Sequence, residues 1–142
     1  EEAVLDARLN AERNGIENCS FIIGKAEEKL ILIRDSDFNL VVVDPPRPGL
    51  HKNVLSALGQ MQSPRILYVS CNPQTLAENA YVLKDYGYGI GRVQPVDMFP
   101  QTPHCEVVCE MKRIDWETPS QYRFKCVAKL SFNVMRYENF FR

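Results

Sequence analysis

An α/β domain built on a parallel, doubly wound sheet is the fold class this sequence predicts. Two uninterrupted apolar runs, Leu40-Val41-Val42-Val43 and Ile66-Leu67-Tyr68-Val69, have the character of strands covered on both faces. Segments of helical pattern alternate with them at short spacing, which argues for crossover units. Both runs also carry their unusual polar residues just past their carboxyl ends, where open α/β sheets bind ligands.

The elements follow in order. Glu1 to Asn14 sets Val4, Ala7, Leu9 and Ala11 among charges, and Asn14-Gly15 stops the helix. Phe21-Ile22-Ile23 is a short strand closed by Gly24, and Ala26 to Ile33 makes a helix of one or two turns. The strand Leu40–Val43 terminates at Asp44-Pro45-Pro46, and His51 to Met61 is helical. After Ile66–Val69 come Ser70-Cys71-Asn72-Pro73, where Pro73 suits the first turn of a helix carrying Leu76, Ala80, Val82 and Leu83 to about Asp85. Ile90–Val96 and Glu106–Met111 close the sheet. Residues 114–142 form a divergent tail in which Tyr122, Phe124, Cys126, Ala128, Leu130, Phe132 and Val134 alternate with mostly polar neighbours. That period predicts an extra edge strand or hairpin, with RNA contact by a basic, aromatic tail as the alternative.

Composition bounds the rest. The 142 residues are 45% apolar, enough for one modest core and short for two. Lys and Arg number 17 against 18 Asp and Glu, a net charge of −1, which excludes a disordered polyelectrolyte and a strongly basic nucleic-acid-coating protein. No apolar run reaches the ~18 residues of a membrane helix, and no signal or transit peptide is recognisable. Five cysteines in no framework pattern favour a reducing intracellular compartment, the cytoplasm first, with an organelle or the nucleus open. No CxxC occurs and the two histidines stand 53 positions apart, so no metal site is expected. The chain opens without Met inside a helical pattern, which reads as the C-terminal part of something longer.

Three segments carry chemistry. In Asp44-Pro45-Pro46-Arg47-Pro48-Gly49-Leu50 a carboxylate ends a buried strand and two prolines stiffen the loop after it. A rigid turn with a strand-capping Asp is the plain alternative. In Ser70-Cys71-Asn72-Pro73 the thiol sits near a helix N-terminus, where partial positive charge favours the nucleophilic thiolate. A small buried hydrophobe is the alternative there. In Asp97-Met98-Phe99-Pro100-Gln101-Thr102-Pro103-His104-Cys105-Glu106 a loop delivers His104 and Glu106 to a strand start. Partial burial would make Glu106 a general base, and His104 would orient it or contact a phosphate. The alternative is an exposed loop with an edge-strand carboxylate. All three segments leave the same sheet edge, which suits covalent chemistry on a planar electrophile.

In this order the three motifs closely resemble the RNA 5-methyluridine methyltransferases, S-adenosylmethionine-dependent enzymes acting on tRNA or ribosomal RNA. The stretch from Glu1-Glu2-Ala3-Val4 to Asn14-Gly15-Ile16-Glu17-Asn18 is similar to the helix after their second strand, so about residues 1–112 are covered. The resemblance implies a class I, Rossmann-like methyltransferase sheet and S-adenosyl-L-methionine as cofactor. It also implies an RNA substrate, tRNA ahead of ribosomal RNA, and no membrane partner. By matching position, Cys71 is the nucleophile that adds to carbon 6 of uracil, and Glu106 is the base that removes the carbon 5 proton. Asp44 then binds cofactor, while Pro45, Pro46, Arg47, Asn72, Pro73 and His104 shape the substrate pocket. Arg47 is placed to meet RNA phosphate or the uracil edge, and the target base must leave the RNA stack.

The chain also departs from that pattern. The family's methionine-binding glycine loop and its ribose-binding acid would both precede Glu1. In the family's strand order 3-2-1-4-5-7-6, the first two strands are then missing. This leaves Phe21-Ile22-Ile23 without a neighbour and one edge of Leu40–Val43 unpaired. Lys25 stands where many methyltransferases carry an acid near the adenine. The piece by itself is expected to be inactive. A non-catalytic methyltransferase-like module that binds RNA or protein is the main rival. Two further rivals are a cysteine hydrolase using Cys71 with His104 and an amino-group methyltransferase using Asp-Pro-Pro.

Overall fold

The computed structural model describes residues 2–114 and the backbone of 125–130 and 133–138. Its elements are α1 (Glu2–Arg13), β1 (Cys19–Ile22), α2 (Ala26–Ile33), β2 (Leu40–Val43), α3 (Lys52–Met61), β3 (Arg65–Ser70), α4 (Pro73–Lys84), β4 (Tyr88–Val96), β5 (Glu106–Arg113), β6 (Lys125–Leu130) and β7 (Asn133–Glu138). Among the described residues no helix is long and apolar enough to cross a membrane.

Local chemistry sets the boundaries. Helix α1 ends because Gly15 takes φ +64, letting the Ile16 amide reach Ala11 O at 2.9 Å and the Gly15 amide reach Glu12 O at 3.0 Å. That paired closure satisfies carbonyls the helix would otherwise leave open, and a side chain at Gly15 would strain it. His51 caps α3 by accepting from the Asn53 amide at 3.2 Å, and Asn72 caps α4 by accepting from the Gln74 amide at 3.2 Å. Pro73, at the start of α4, costs no hydrogen bond there.

Among the described residues one seven-stranded sheet results, in the order β1-β7-β6-β2-β3-β5-β4. Strands β2 and β3 run parallel with Val41 opposite Ile66, while β5 is antiparallel to both β3 and β4. The sheet is therefore mixed, which corrects the expectation of a parallel one. Loop length is the reason: residues 97–105 joining β4 to β5 include no helix that could carry a crossover. The order of β1, β2, β3, β5 and β4 nonetheless reproduces strands 3, 4, 5, 7 and 6 of the Rossmann-like methyltransferase sheet.

The place between β1 and β2 is filled. Strand β6 runs parallel to β2, pairing Val127 with Val41, and β7 runs antiparallel to β1, pairing Met135 with Phe21. Strands β6 and β7 pair with each other antiparallel. The open edge of Leu40–Val43 and the isolated Phe21 segment expected from the sequence are thus both corrected. Backbone donors and acceptors left along β2 are satisfied by the chain's own end. The tail positions Tyr122, Phe124 and Phe132 lie outside the described residues.

Burial along the strands alternates. Val41, Val43, Ile66, Tyr68, Val107, Cys109 and Met111 are buried in one core with Ala26 and Leu30 of α2, Val54, Leu55 and Leu58 of α3, and Leu76, Ala80 and Leu83 of α4. Leu40, Val42, Leu67, Val69 and Val108 point to the opposite face and are only half-buried. Coverage on both faces of β2 and β3 was the expectation, so this too is a correction. Helices α2, α3 and α4 all pack on one side, and pleat alternation leaves every second residue of the apolar runs outside that core.

Candidate active site

Sheet register decides which motifs meet. Strand β3 ends at Ser70, paired with Val107 near the start of β5, and Glu106 pairs with Val96 at the end of β4. Continued by one residue, the antiparallel register sets Cys71 opposite Glu106. On the other side of β3, Val43 pairs with Tyr68, so Asp44 leaves β2 at the same edge. The Asp44, Cys71 and Glu106 segments are brought together there, although they lie 27 and 35 positions apart in the chain.

Cys71 stands in a short constrained turn. The Ser70 hydroxyl donates to Asn72 O at 2.8 Å and accepts from the Asn72 amide at 3.0 Å, closing a loop around the thiol. Asn72 is extended and begins α4, so the thiol lies just before a helix N-terminus. Cys71 and Glu106 are both half-buried, reachable yet partly shielded from water. Burial pushes the thiols of Cys19 and Cys109 up, and Glu110 adds to the rise at Cys109, which makes those two poor nucleophiles.

The loop from Asp44 to Leu50 is tied to α4. Asn72 Nδ2 donates to Arg47 O at 3.2 Å, and the Thr75 hydroxyl lies 3.1 Å from the same carbonyl. The Gly49 amide donates to Pro46 O at 2.8 Å. Pro45 is buried, Asp44 half-buried, and Pro46 and Arg47 are exposed. Arg47 reaches the loop before β5, its Nη2 lying 3.3 Å from His104 Nδ1. A guanidinium only donates, so His104 accepts through Nδ1 and carries its hydrogen on Nε2. His104 thus pairs with Arg47, and among the described residues no hydrogen bond or ion pair joins it to Glu106. A half-buried carboxylate beside a buried proline fits the amino or cationic end of a bound nucleoside donor.

Tyr68, Thr75 and Asn79 belong to the same construction and were not picked out from the sequence. Asn79 carried a signal. The buried positions of α4 are Leu76, Asn79, Ala80 and Leu83, a helical stripe in which one residue is polar.

Comparison with known proteins falls on the same segments. A family model described as tRNA (Uracil-5-)-methyltransferase matches residues 2–114. The chain belongs to this family. An uncharacterized RNA methyltransferase of Clostridium acetobutylicum is 44% identical over 116 residues, covering 80% of this chain and 25% of the relative. Another from Enterococcus faecalis is 49% identical over 110 residues, covering 76% of this chain and 24% of the relative. The crystal structure of Pyrococcus abyssi tRNA (uracil-54, C5)-methyltransferase in complex with S-adenosyl-L-homocysteine superposes with a TM-score of 0.63. Its identity is 36%, with 77% of this chain and 26% of that chain covered. The chain therefore spans about a quarter of the length of the curated relatives it matches. As a member of this RNA methyltransferase family it carries the family's strand order, although its own last two strands fill the sheet beside β2.

Proposed function

We propose that the protein methylates carbon 5 of a uridine in RNA, tRNA ahead of ribosomal RNA, through a covalent adduct with Cys71. The observation that carries this reading is the register pairing Ser70 with Val107, whose neighbours are Cys71 and Glu106, at the edge where Asp44 leaves β2.

Uracil carbon 5 is a poor nucleophile until an anion adds next to it. In the proposed sequence the Cys71 thiolate forms a bond to carbon 6, and the ring electrons move to carbon 5. S-adenosyl-L-methionine, the cofactor of this reading, would be held on the Asp44 side and would supply the electrophilic methyl group, its bond from that methyl to the sulfonium sulfur breaking to leave S-adenosyl-L-homocysteine. Glu106 then takes the carbon 5 proton, the electron pair returns to the ring, and the bond to Cys71 breaks to restore the thiolate. Asp44 holds the cofactor side of the pocket. Pro45, Pro46, Asn72 and Pro73 shape the uracil side, and Arg47 with His104 meets the RNA at the rim. Cytosolic thiols are kept reduced, and the cytoplasm is the compartment we assign.

The test uses the complete protein with its RNA. Cys71→Ala abolishes both methylation and covalent trapping. Glu106→Gln accumulates a denaturation-resistant Cys71–RNA adduct, because addition survives while proton removal fails. Normal turnover by either variant would remove the mechanism. Calorimetric titration with S-adenosyl-L-methionine gives saturable heat for the enzyme and none for a non-catalytic remnant.

A further inference from the structure

One buried polar group is used by none of these steps. Asn79 is 9% exposed on the core face of α4. Its side-chain oxygen accepts two hydrogen bonds, from the Tyr68 hydroxyl at 2.8 Å and from the Leu50 amide at 2.7 Å. The donors come from β3 and from the end of the loop after β2, so three separate parts of the fold meet at one oxygen. Both of its lone pairs are used, which removes the cost of burying it. Burial pushes the Tyr68 hydroxyl far up, the Leu50 backbone amide draws it back in part, and charge at Cys71 adds to the rise, so this group stays a donor.

The loop is pressed onto the helix at the same point. Gly49 takes φ +82, and a Cβ there would lie 2.8 Å from Asn79 Oδ1 and 3.2 Å from Thr75 Cβ. One turn before Asn79, Thr75 holds Arg47 O, and Asn72 holds the same carbonyl from the helix start. The backbone from Arg47 to Leu50 is thereby fastened along α4, whose first residues also fix Cys71. Leu76 and Leu83 on the same stripe bring only apolar contact to the core. The amide serves the loop.

We propose that Asn79 is a positioning residue. By accepting from Leu50 it fixes the Asp44–Leu50 loop relative to Cys71, and Tyr68 fixes the orientation of Asn79 itself. This role rests on the reading of Cys71 as nucleophile and of that loop as the pocket wall.

The experiment compares the full chain with Asn79→Leu, Asn79→Asp and Tyr68→Phe by two measurements. Amide hydrogen exchange is read at Leu50, and alkylation by iodoacetamide is read separately at Cys19, Cys71 and Cys109 by mass spectrometry. In Asn79→Leu the Leu50 amide exchanges about two- to tenfold faster, the factor one lost hydrogen bond gives. Cys71 alkylates faster by a similar factor while Cys19 and Cys109 hold their rates. Asn79→Asp, which keeps the acceptor at the same reach, restores both readings, and Tyr68→Phe gives a smaller change in the same direction. An unchanged Leu50 amide in Asn79→Leu, or all three cysteines accelerating together, would overturn the proposal. Should Asn79→Leu not fold, Tyr68→Phe decides by the same two readings, because it keeps the ring in place. Neither measurement depends on methyl transfer, so failure here is separate from failure of the proposed reaction.

Discussion

Arg47 and His104 lie 57 positions apart in sequence, and the Arg47 guanidinium stands 3.3 Å from His104 Nδ1. This contact joins the loop that follows β2 to the loop that precedes β5. It puts a permanent cation between these two loops. The same arginine is held through its carbonyl by Asn72 and Thr75, so its backbone is fixed while its side chain stays exposed.

Arg47→Ala in the complete protein is expected to raise KM for RNA about tenfold, in line with one lost charge-assisted contact, with a smaller change in kcat. His104→Gln, which retains an acceptor for Arg47, changes KM less than Arg47→Ala. Steady-state kinetics with one RNA at fixed salt measures both. An equal loss of kcat in the two variants would place the pair among the reacting groups instead.

Because Arg47 only donates, the His104 ring carries its hydrogen on Nε2. Nitrogen-15 NMR of the imidazole should report that tautomer in the parent chain. In Arg47→Met the two tautomers redistribute, because the bond selecting one of them is gone.

Gly49→Ala is expected to destabilise the fold by about 1–3 kcal/mol, the scale of forcing a side chain into a left-handed conformation. The added carbon also meets Asn79 Oδ1 at 2.8 Å. Urea denaturation followed by circular dichroism measures this, and Gly15→Ala offers a control, since at Gly15 the φ is positive but nothing lies within 4 Å. The loss at Gly49 should exceed the loss at Gly15.

Stability should also fall in alkali. Burial raises the Cys109 thiol from its ordinary 9.0, so the unfolded chain releases this proton at lower pH than the folded chain. Its contribution is therefore full below about pH 9 and is lost as pH rises through the folded-state value. Thermal melts between about pH 8 and about pH 10.5 should show a decline that is shallower in Cys109→Ala.

Ending the chain at Ile114 removes β6 and β7 and frees the backbone of β2 and β1 that they pair. Such an edge, rich in valine, favours association with other chains. Light scattering should find the shortened chain self-associating at concentrations where the full chain stays monodisperse.

Most of the elements were legible from local pattern. Leu40–Val43 and Ala26–Ile33 fall where the sequence puts them, and helix ends at Gly15 and Pro73 follow from backbone rules that act within a few residues. The motif at Cys71 was equally legible, because a thiol before a capped helix is a local arrangement. Asn79 was hidden by its neighbours: a polar residue on a helix reads as exposed until the stripe of Leu76, Ala80 and Leu83 shows which side it takes.

By itself the chain's order of residues determined the strands, the helices and the three chemical segments, since each depends on spacing within one stretch of backbone. Only the tertiary structure decided what faces what. Register between β3 and β5 sets Ser70 opposite Val107, next to Cys71 and Glu106, the bond from Leu50 to Asn79 fastens the loop, and β6 lies beside β2. Each of these joins positions from 29 to 86 residues apart, given by the Leu50–Asn79 bond and the Leu40–Cys126 pair. At such separations no local preference acts, and pairing of backbone groups together with burial of one face chooses the partner.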